Sequence, residues 1–291
     1  MRVAMTGATG LIGSALVSLL EGTGYQVTPL RRGPCDDSTT PSWNPLNGDL
    51  SDAAVDGADA VIHLAGENIA GGRWTKARKA RIRDSRVDGT RHLSEALARL
   101  ERPPKTLIVA SAIGFYGDRG EERLHEQSSA GNGFLPEVCQ AWEAAAEPAV
   151  SRGIRVVQLR LGIVLTPAGG ALGQMLLPFK LGLGGVLGSG QQYMSWVALD
   201  DVLTSVLYAL RTESLTGPIN VVAPAAVTNK EFTKTLGRVL RRPPCFRYLG
   251  LRLGCCLVRW RMLCYWPVRM LSQGVYRVVD LCSGIPHWNR R

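Results

Sequence analysis

"TGATGLIG", residues 6–13, is the stretch on which the fold turns. The apolar run "RVAM" leads into it and the helical pattern "LIGSALVSLLEG" leads out, so a strand enters the turn and a helix leaves it. Gly7 permits a tight turn, Gly10 lets the backbone approach a pyrophosphate, and Gly13 lets helix and strand pack closely. The phosphate would then face the helix N-terminus. Leu11 and Ile12, the first helical residues, belong to the same predicted contact. Three spaced glycines are weak evidence alone, and the strand before and helix after supply the context. A tight turn without ligand is the plainer alternative.

Outward from this turn, short apolar runs alternate with amphipathic stretches. "QVTPL" and "AVIHLAG" read as strands, residues 74–100 as a long helix, and "KTLIVASA" as another strand. "FLPEVCQAWEAAAEPAV" reads as a helix and "RVVQLRLGIVL" as a strand. The rhythm predicts an α/β fold: a Rossmann-type, doubly wound parallel sheet. Residues 1–224 form the expected cofactor domain and 225–291 a small C-terminal substrate lobe, atypical from about residue 245.

The chain has 291 residues, 45% of them apolar, enough for one large domain and a smaller lobe. Its formal charge of +10 would suit an anionic partner. The distribution argues otherwise: Cys245 to Arg291 holds eight arginines and one acid, Asp280, so that segment carries +7 and residues 1–244 only +3. Five of the seven cysteines also lie there, leaving Cys35 and Cys139 in the body. That usage fits a reduced, cytoplasmic setting without a disulfide framework. The N-terminus lacks a small-residue cleavage site, and no run of eighteen apolar residues occurs, so neither a secretory signal nor a membrane span is expected. The basic stretch "KARKARIRDSR" reads as a solvated helix face of Arg78, Lys79, Arg81 and Arg83. No nucleic-acid-binding signature accompanies it.

Strand two ends in "LRRG". An acidic residue there would bind an adenosine ribose, whereas Arg31 and Arg32 suit the extra 2′-phosphate of NADP(H), making NAD(H) the less favoured cofactor. A solvated basic turn is the alternative. Together with the glycine turn, "VIHLAGENIAGGRW", "SAIGFYG", "WEAAA", "LRLGIVL", "GGALGQMLLPFKLGLGG" and "MSWVALDDV" resemble the extended short-chain dehydrogenase/reductases. More narrowly, they resemble the atypical branch of NAD(P)-dependent epimerase-family proteins, which ends in a small C-terminal domain. The resemblance covers about residues 1–244. It implies that Leu64, Ala65 and Gly66 line the adenosine and ribose side, that Arg86 approaches the cofactor, and that Val164 lies beside the nicotinamide half. It further implies an oxidoreductase or epimerase-like enzyme acting on a small molecule, a nucleotide sugar or carbonyl compound. A non-catalytic, NADPH-responsive binding protein is the alternative.

The wider superfamily moves a hydride with a Tyr, a Lys four residues later that lowers its pKa, and a Ser that positions substrate. Ser111 stands at the expected strand end. None of the seven tyrosines is followed four residues later by Lys, and no Lys occurs between Lys105 and Lys180. The helix in that interval, "EVCQAWEAAAE", brings Cys139, Trp142 and Glu143 instead. Tyr116 is expected on a loop above the carboxyl edge of the sheet, with a pKa near the usual ~10 in the absence of a lysine. Cys139, with an ordinary thiol pKa of ~8.5, is the other candidate acid–base group, against a simple packing role. Trp142 reads as core or pocket wall and Glu143 as a surface helix residue. Asp200 and Asp201 read as N-cap residues of the next helix.

"CCLVRWRMLCYWPVRM", residues 255–270, breaks the pattern of the body, and Lys and Glu vanish from residue 245 onward. Its cysteines lack paired C-x-x-C spacing, so no metal site is expected. Any codons for "CYWP" read one base earlier encode Leu-Leu-Ala, which matches the leucine-rich helix of the family's small domain. Residues from about 245 onward therefore read as translated out of frame. Independent sequencing across the codons for Arg242 to Phe246 tests this, and an unbroken frame would restore the rival, a genuine Cys-rich tail.

Overall fold

The computed structural model describes residues 1–35, 39–55 and 57–242, with the backbone of 246–248. Seven parallel strands form the central sheet: β1 (Arg2–Thr6), β2 (Gln26–Arg32), β3 (Ser42–Trp43), β4 (Ala60–His63), β5 (Thr106–Ala112), β6 (Arg155–Leu161) and β11 (Gly217–Val221). Their spatial order is β11-β6-β5-β4-β1-β2-β3. The chain runs outward one way from β1 to β3, then returns to lay β4 on the other side of β1. The order thus reverses between β1 and β4, and ligands of open α/β sheets bind outside the carboxyl ends at such a point.

Strand periodicity assigns the two faces of this sheet. Val3, Met5, Ala60, Ile62, Ile108, Val157 and Leu159 point to one side, against α1 (Leu11–Gly22) and α7 (Leu199–Arg211). Ala4, Val61, Leu107, Val109 and Val156 point to the other, against α3 (Lys76–Arg99), α4 (Phe134–Ala144) and α5 (Glu147–Ser151). Alternate residues bury on both faces because every central strand is covered twice. Each large apolar side chain so buried contributes about 1.5–3 kcal/mol.

The remaining elements are α2 (Asp52–Val55), β7 (Ile163–Thr166), α6 (Gly170–Lys180), β8 (Gly185–Leu187), β9 (Tyr193–Met194), β10 (Trp196–Ala198), β12 (Val227–Thr228), α8 (Asn229–Val239) and β13 (Phe246–Tyr248). β7 pairs with β10, β12 with β9 and β13 with β8 in small two-stranded ladders. Met175 and Phe179 of α6 pack with Met194, joined by Phe232 and Leu236 of α8, in a separate small core.

Several boundaries differ from the sequence reading for local reasons. The helix expected over "FLPEVCQAWEAAAEPAV" divides into α4 and α5, with Pro148 in the first turn of α5, where its missing N–H is harmless. "RVVQLRLGIVL" divides at Gly162, and β7 leaves the sheet to pair with β10. A Cβ at Gly162 would lie 3.0 Å from the Ser195 carbonyl oxygen, so a larger residue would push this close crossing apart by a few tenths of an ångström. Ala198, not Asp200 or Asp201, is the N-cap of α7, and the two acids occupy its first turn, where they favour the positive end of the helix dipole. The Cys-rich stretch 255–270, and with it the reading of a shifted frame, lies outside the described residues.

Candidate functional site

The glycine turn occupies the reversal point. Gly7 adopts φ +73°, and a Cβ there would lie 2.8 Å from the backbone of Leu64 and Ala65. The first turn and the residues after β4 therefore touch, backbone to backbone. Gly10 is the N-cap of α1 and donates to the Gly7 carbonyl at 3.0 Å. A Cβ on Gly13 would sit 2.1 Å from the Gly7 oxygen. On the opposite side, Cβ positions at Gly169 and Gly170 would lie 3.3 and 3.0 Å from the Leu11 side chain, and Gly170's would lie 3.8 Å from the Val164 carbonyl. The Leu11 side chain and the Val164 carbonyl, distant in sequence, thus both lie beside Gly170. Ile12 packs along the same face as part of the α1 core.

Arg31 and Arg32 lie exposed at the carboxyl end of β2, beside the turn's own strand, with no ion pair among the described residues. Arg86 projects from α3 toward Gly66, donates to the Ile82 carbonyl at 3.1 Å and lies 5.1 Å over the Trp142 ring. Burial pulls its pKa below the ordinary arginine value. Arg78 departs from the expected solvated face: its side chain is only 12% exposed, pairs with Glu67 at 3.6 Å and donates to the Asn68 carbonyl. It holds the loop after β4 in place. Arg81 and Arg83 remain outside, and Lys79 lies 5.0 Å over the Phe134 ring.

Tyr116, expected on the loop above the carboxyl edge of the sheet, lies at the end of a 3-10 turn, Ile113–Tyr116, directly after β5, and is buried there. Its hydroxyl donates to Asn220 Oδ1 at 2.7 Å and accepts from Arg160 Nη1 at 2.8 Å. Burial raises its pKa above the ordinary value against the lowering pull of Arg160. Cys139 is also buried, and burial, with the nearby Glu143 charge, pushes its thiol up to about 12. A group held neutral and enclosed in this way is a poor acid–base catalyst near neutral pH.

Glu143 is not the surface residue expected from the sequence. Ser111, near the end of β5, donates to its Oε1 at 2.6 Å, while Arg160 Nε and Nη2 donate to its two oxygens, each at 2.8 Å. Arg160 also donates to the Glu126 carbonyl at 3.0 Å and lies 3.6 Å over the Phe115 ring. Burial works against its charge, but the hydrogen bonds and charge of Glu143 outweigh that and hold its pKa above the ordinary value. Trp142 lies in the core, its indole donating to Thr90 at 2.9 Å. Glu143, Arg160 and Asn220 were absent from the sequence-based site. The available signal was an arginine inside the apolar strand "VVQLRLG", which demands a buried partner.

His63 was likewise missed. It ends β4, fully buried, with Nδ1 2.7 Å from the Thr6 hydroxyl and its ring edge-on to Trp43 at 5.2 Å. Burial lowers its pKa from 6.5 to about 4. Between those values the unfolded chain binds a proton that the folded chain refuses. Stability is therefore full above pH 6.5, falls as the pH drops toward 4, and loses nothing further from this group below that. The expected loss is about 3 kcal/mol. Urea midpoints measured across this window check it, and a His63→Gln variant with an equally steep decline would refute the assignment to His63.

These features define a nucleotide-binding protein of Rossmann type. Residues 3–223 match the NAD dependent epimerase/dehydratase family. An epimerase family protein of Mycobacterium bovis is 45% identical over 241 residues, covering 83% of this chain and 79% of that protein. Epimerase family protein SDR39U1 of Homo sapiens is 37% identical over 246 residues, covering 83% and 81%. The structure of a human SDR39U1 isoform with NADPH superposes with a TM-score of 0.79 at 32% identity, covering 99% of this chain and 95% of that one. UDP-glucuronic acid 4-epimerase from Bacillus cereus, solved with UDP-glucuronic acid and NAD, shares the fold at 19% identity and a TM-score of 0.75, covering 99% and 95%. The chain belongs to the NAD dependent epimerase/dehydratase family, among the SDR39U1-type, atypical short-chain dehydrogenase/reductases. No described helix is long and apolar enough to cross a membrane.

Proposed function

We propose that this protein binds NADP(H) and transfers hydride between the nicotinamide and a carbonyl or alcohol carbon of a small molecule, with a nucleotide sugar as the favoured substrate class. Residues 1–224 act as the cofactor domain, and 225–291 take the place of the small C-terminal lobe, which reads as out of frame from about residue 245. The observation that carries the reading is the glycine turn at the strand-order reversal, where Gly7 and Gly13 leave no room for a Cβ. Backbone amides at the start of α1 would hold the pyrophosphate, Leu64 to Gly66 and Arg86 the ribose side, and Leu11 and Val164 the wall beside the nicotinamide. The bound cofactor supplies the hydride, and the protein orients it. NADPH in the human relative supports the reduced, phosphorylated cofactor.

Exposed Arg31 and Arg32 support the same choice, since guanidinium groups pair with a 2′-phosphate. Changing both to alanine is expected to weaken NADPH roughly tenfold or more while leaving NADH nearly unaffected. Fluorescence titration with both cofactors measures this, and an equal loss for both would rule the pair out as the phosphate site. The same titration tests the central proposal: no binding of either cofactor by the unmodified chain sinks it. The enclosed Cys139 and Tyr116 favour a second reading, a non-catalytic NADPH-responsive protein. Cofactor binding without oxidation across a screen of carbonyl compounds would select it.

A further inference from the structure

Cys139 and Glu143 stand four residues apart on α4, the spacing of a Tyr-x-x-x-Lys pair, and both look toward the end of β5. Cys139 Sγ lies 3.5 Å from the position of a Cβ on Gly114, and Glu143 receives the Ser111 hydroxyl. The polarity of this corner is the reverse of a Tyr–Lys pair, which presents donors. Arg160 can only donate, and it commits Nε and Nη2 to Glu143 and Nη1 to Tyr116 and Glu126. Glu143 therefore acts as acceptor on both oxygens. Ser111 has one proton, and its 2.6 Å hydrogen bond places it on Glu143. What the serine retains for a ligand is lone pairs. Arg160 and Ser111 are each enclosed at 3% exposure, while 11% of the Glu143 side chain remains accessible.

We infer that Ser111 and Glu143 form an acceptor-only subsite that selects a ligand hydroxyl over a carbonyl oxygen, with Arg160 as the positioning residue. The inference rests on the oxidoreductase reading for its meaning, since alcohol and carbonyl are the two forms of such a substrate. A hydroxyl placed here donates into the pair. A carbonyl oxygen meets lone pairs and leaves its own hydrogen bond unmade.

The test titrates the full chain, with and without NADPH, with cyclohexanol and cyclohexanone, matched in size, by ligand-observed NMR. The unmodified protein is expected to bind the alcohol roughly tenfold more tightly. Glu143→Gln places an amide donor against Ser111 and frees the serine proton, so the preference should vanish or invert. Ser111→Ala leaves the ion pair in place and should reduce the preference, at a smaller cost in stability than breaking that pair. If Glu143→Gln does not fold, Ser111→Ala decides. Equal or undetectable binding of the two probes by the unmodified chain overturns the inference, as does a preference unchanged by both substitutions. A preference for the alcohol that appears without any NADPH binding upholds the subsite and removes the cofactor reading.

Discussion

Replacing Arg160 by methionine is expected to destabilise the folded chain by about 3–5 kcal/mol, because it breaks a buried ion pair on one side only. The arginine is 3% exposed and its guanidinium makes four hydrogen bonds, with Ser111 the other donor to Glu143. Methionine keeps most of the volume but leaves the Glu143 carboxylate, the Tyr116 hydroxyl and the Glu126 carbonyl without that donor. Urea unfolding measures the loss, and a decrease below about 1 kcal/mol would show that the network contributes little. Combining Arg160→Met with Glu143→Leu should recover much of the stability, because a buried pair replaced on both sides costs far less than one broken on one side. That recovery would separate an uncompensated charge from a simple packing defect.

Gly13→Ala is expected to raise the NADPH dissociation constant tenfold or more and to lower stability by about 1–3 kcal/mol. The added Cβ would meet the Gly7 carbonyl oxygen at 2.1 Å and the Gly7 and Ala8 backbone at 2.9 Å. These are main-chain atoms of a turn already pressed on Leu64 and Ala65, so they have nowhere to yield. Either α1 lifts from β1 or the turn rotates, and both displace the amides proposed to hold the pyrophosphate. Gly22→Ala at the far end of α1 is the control, because a Cβ there meets nothing within 4 Å. It should leave cofactor affinity unchanged. Equal affinity of the Gly13→Ala protein and the unmodified chain would disprove the role assigned to the turn.

The glycine turn and the strand and helix around it were legible because their physics is local: backbone freedom, apolar periodicity and a helix start all fall within about twenty residues. The buried network was not legible in the same way. Ser111, Tyr116, Glu143, Arg160 and Asn220 come from four different elements and the turn after β5, and only the parallel register of β5, β6 and β11 brings them together. The missing Tyr-x-x-x-Lys was visible in the sequence, yet the pattern gave no sign that Tyr116 would be buried and put Glu143 on the surface. Their burial depends on which face of α4 meets the sheet. Pattern alone left that face ambiguous, since Cys139 and Glu143 share it.

By itself, then, the sequence determined the α/β class, the dinucleotide turn, the basic end of β2 and the absence of a lysine to assist a tyrosine. Those properties belong to residue type and short spacing. Only the tertiary structure decided that the strand order reverses at the glycine turn, that Leu11 and Val164 both lie beside Gly170, and that His63 is buried beside Thr6. It alone decided that Glu143 is held by Arg160 and receives the Ser111 hydroxyl. Hydrogen-bond direction and desolvation depend on distances between groups far apart in the chain, and those distances exist only after folding.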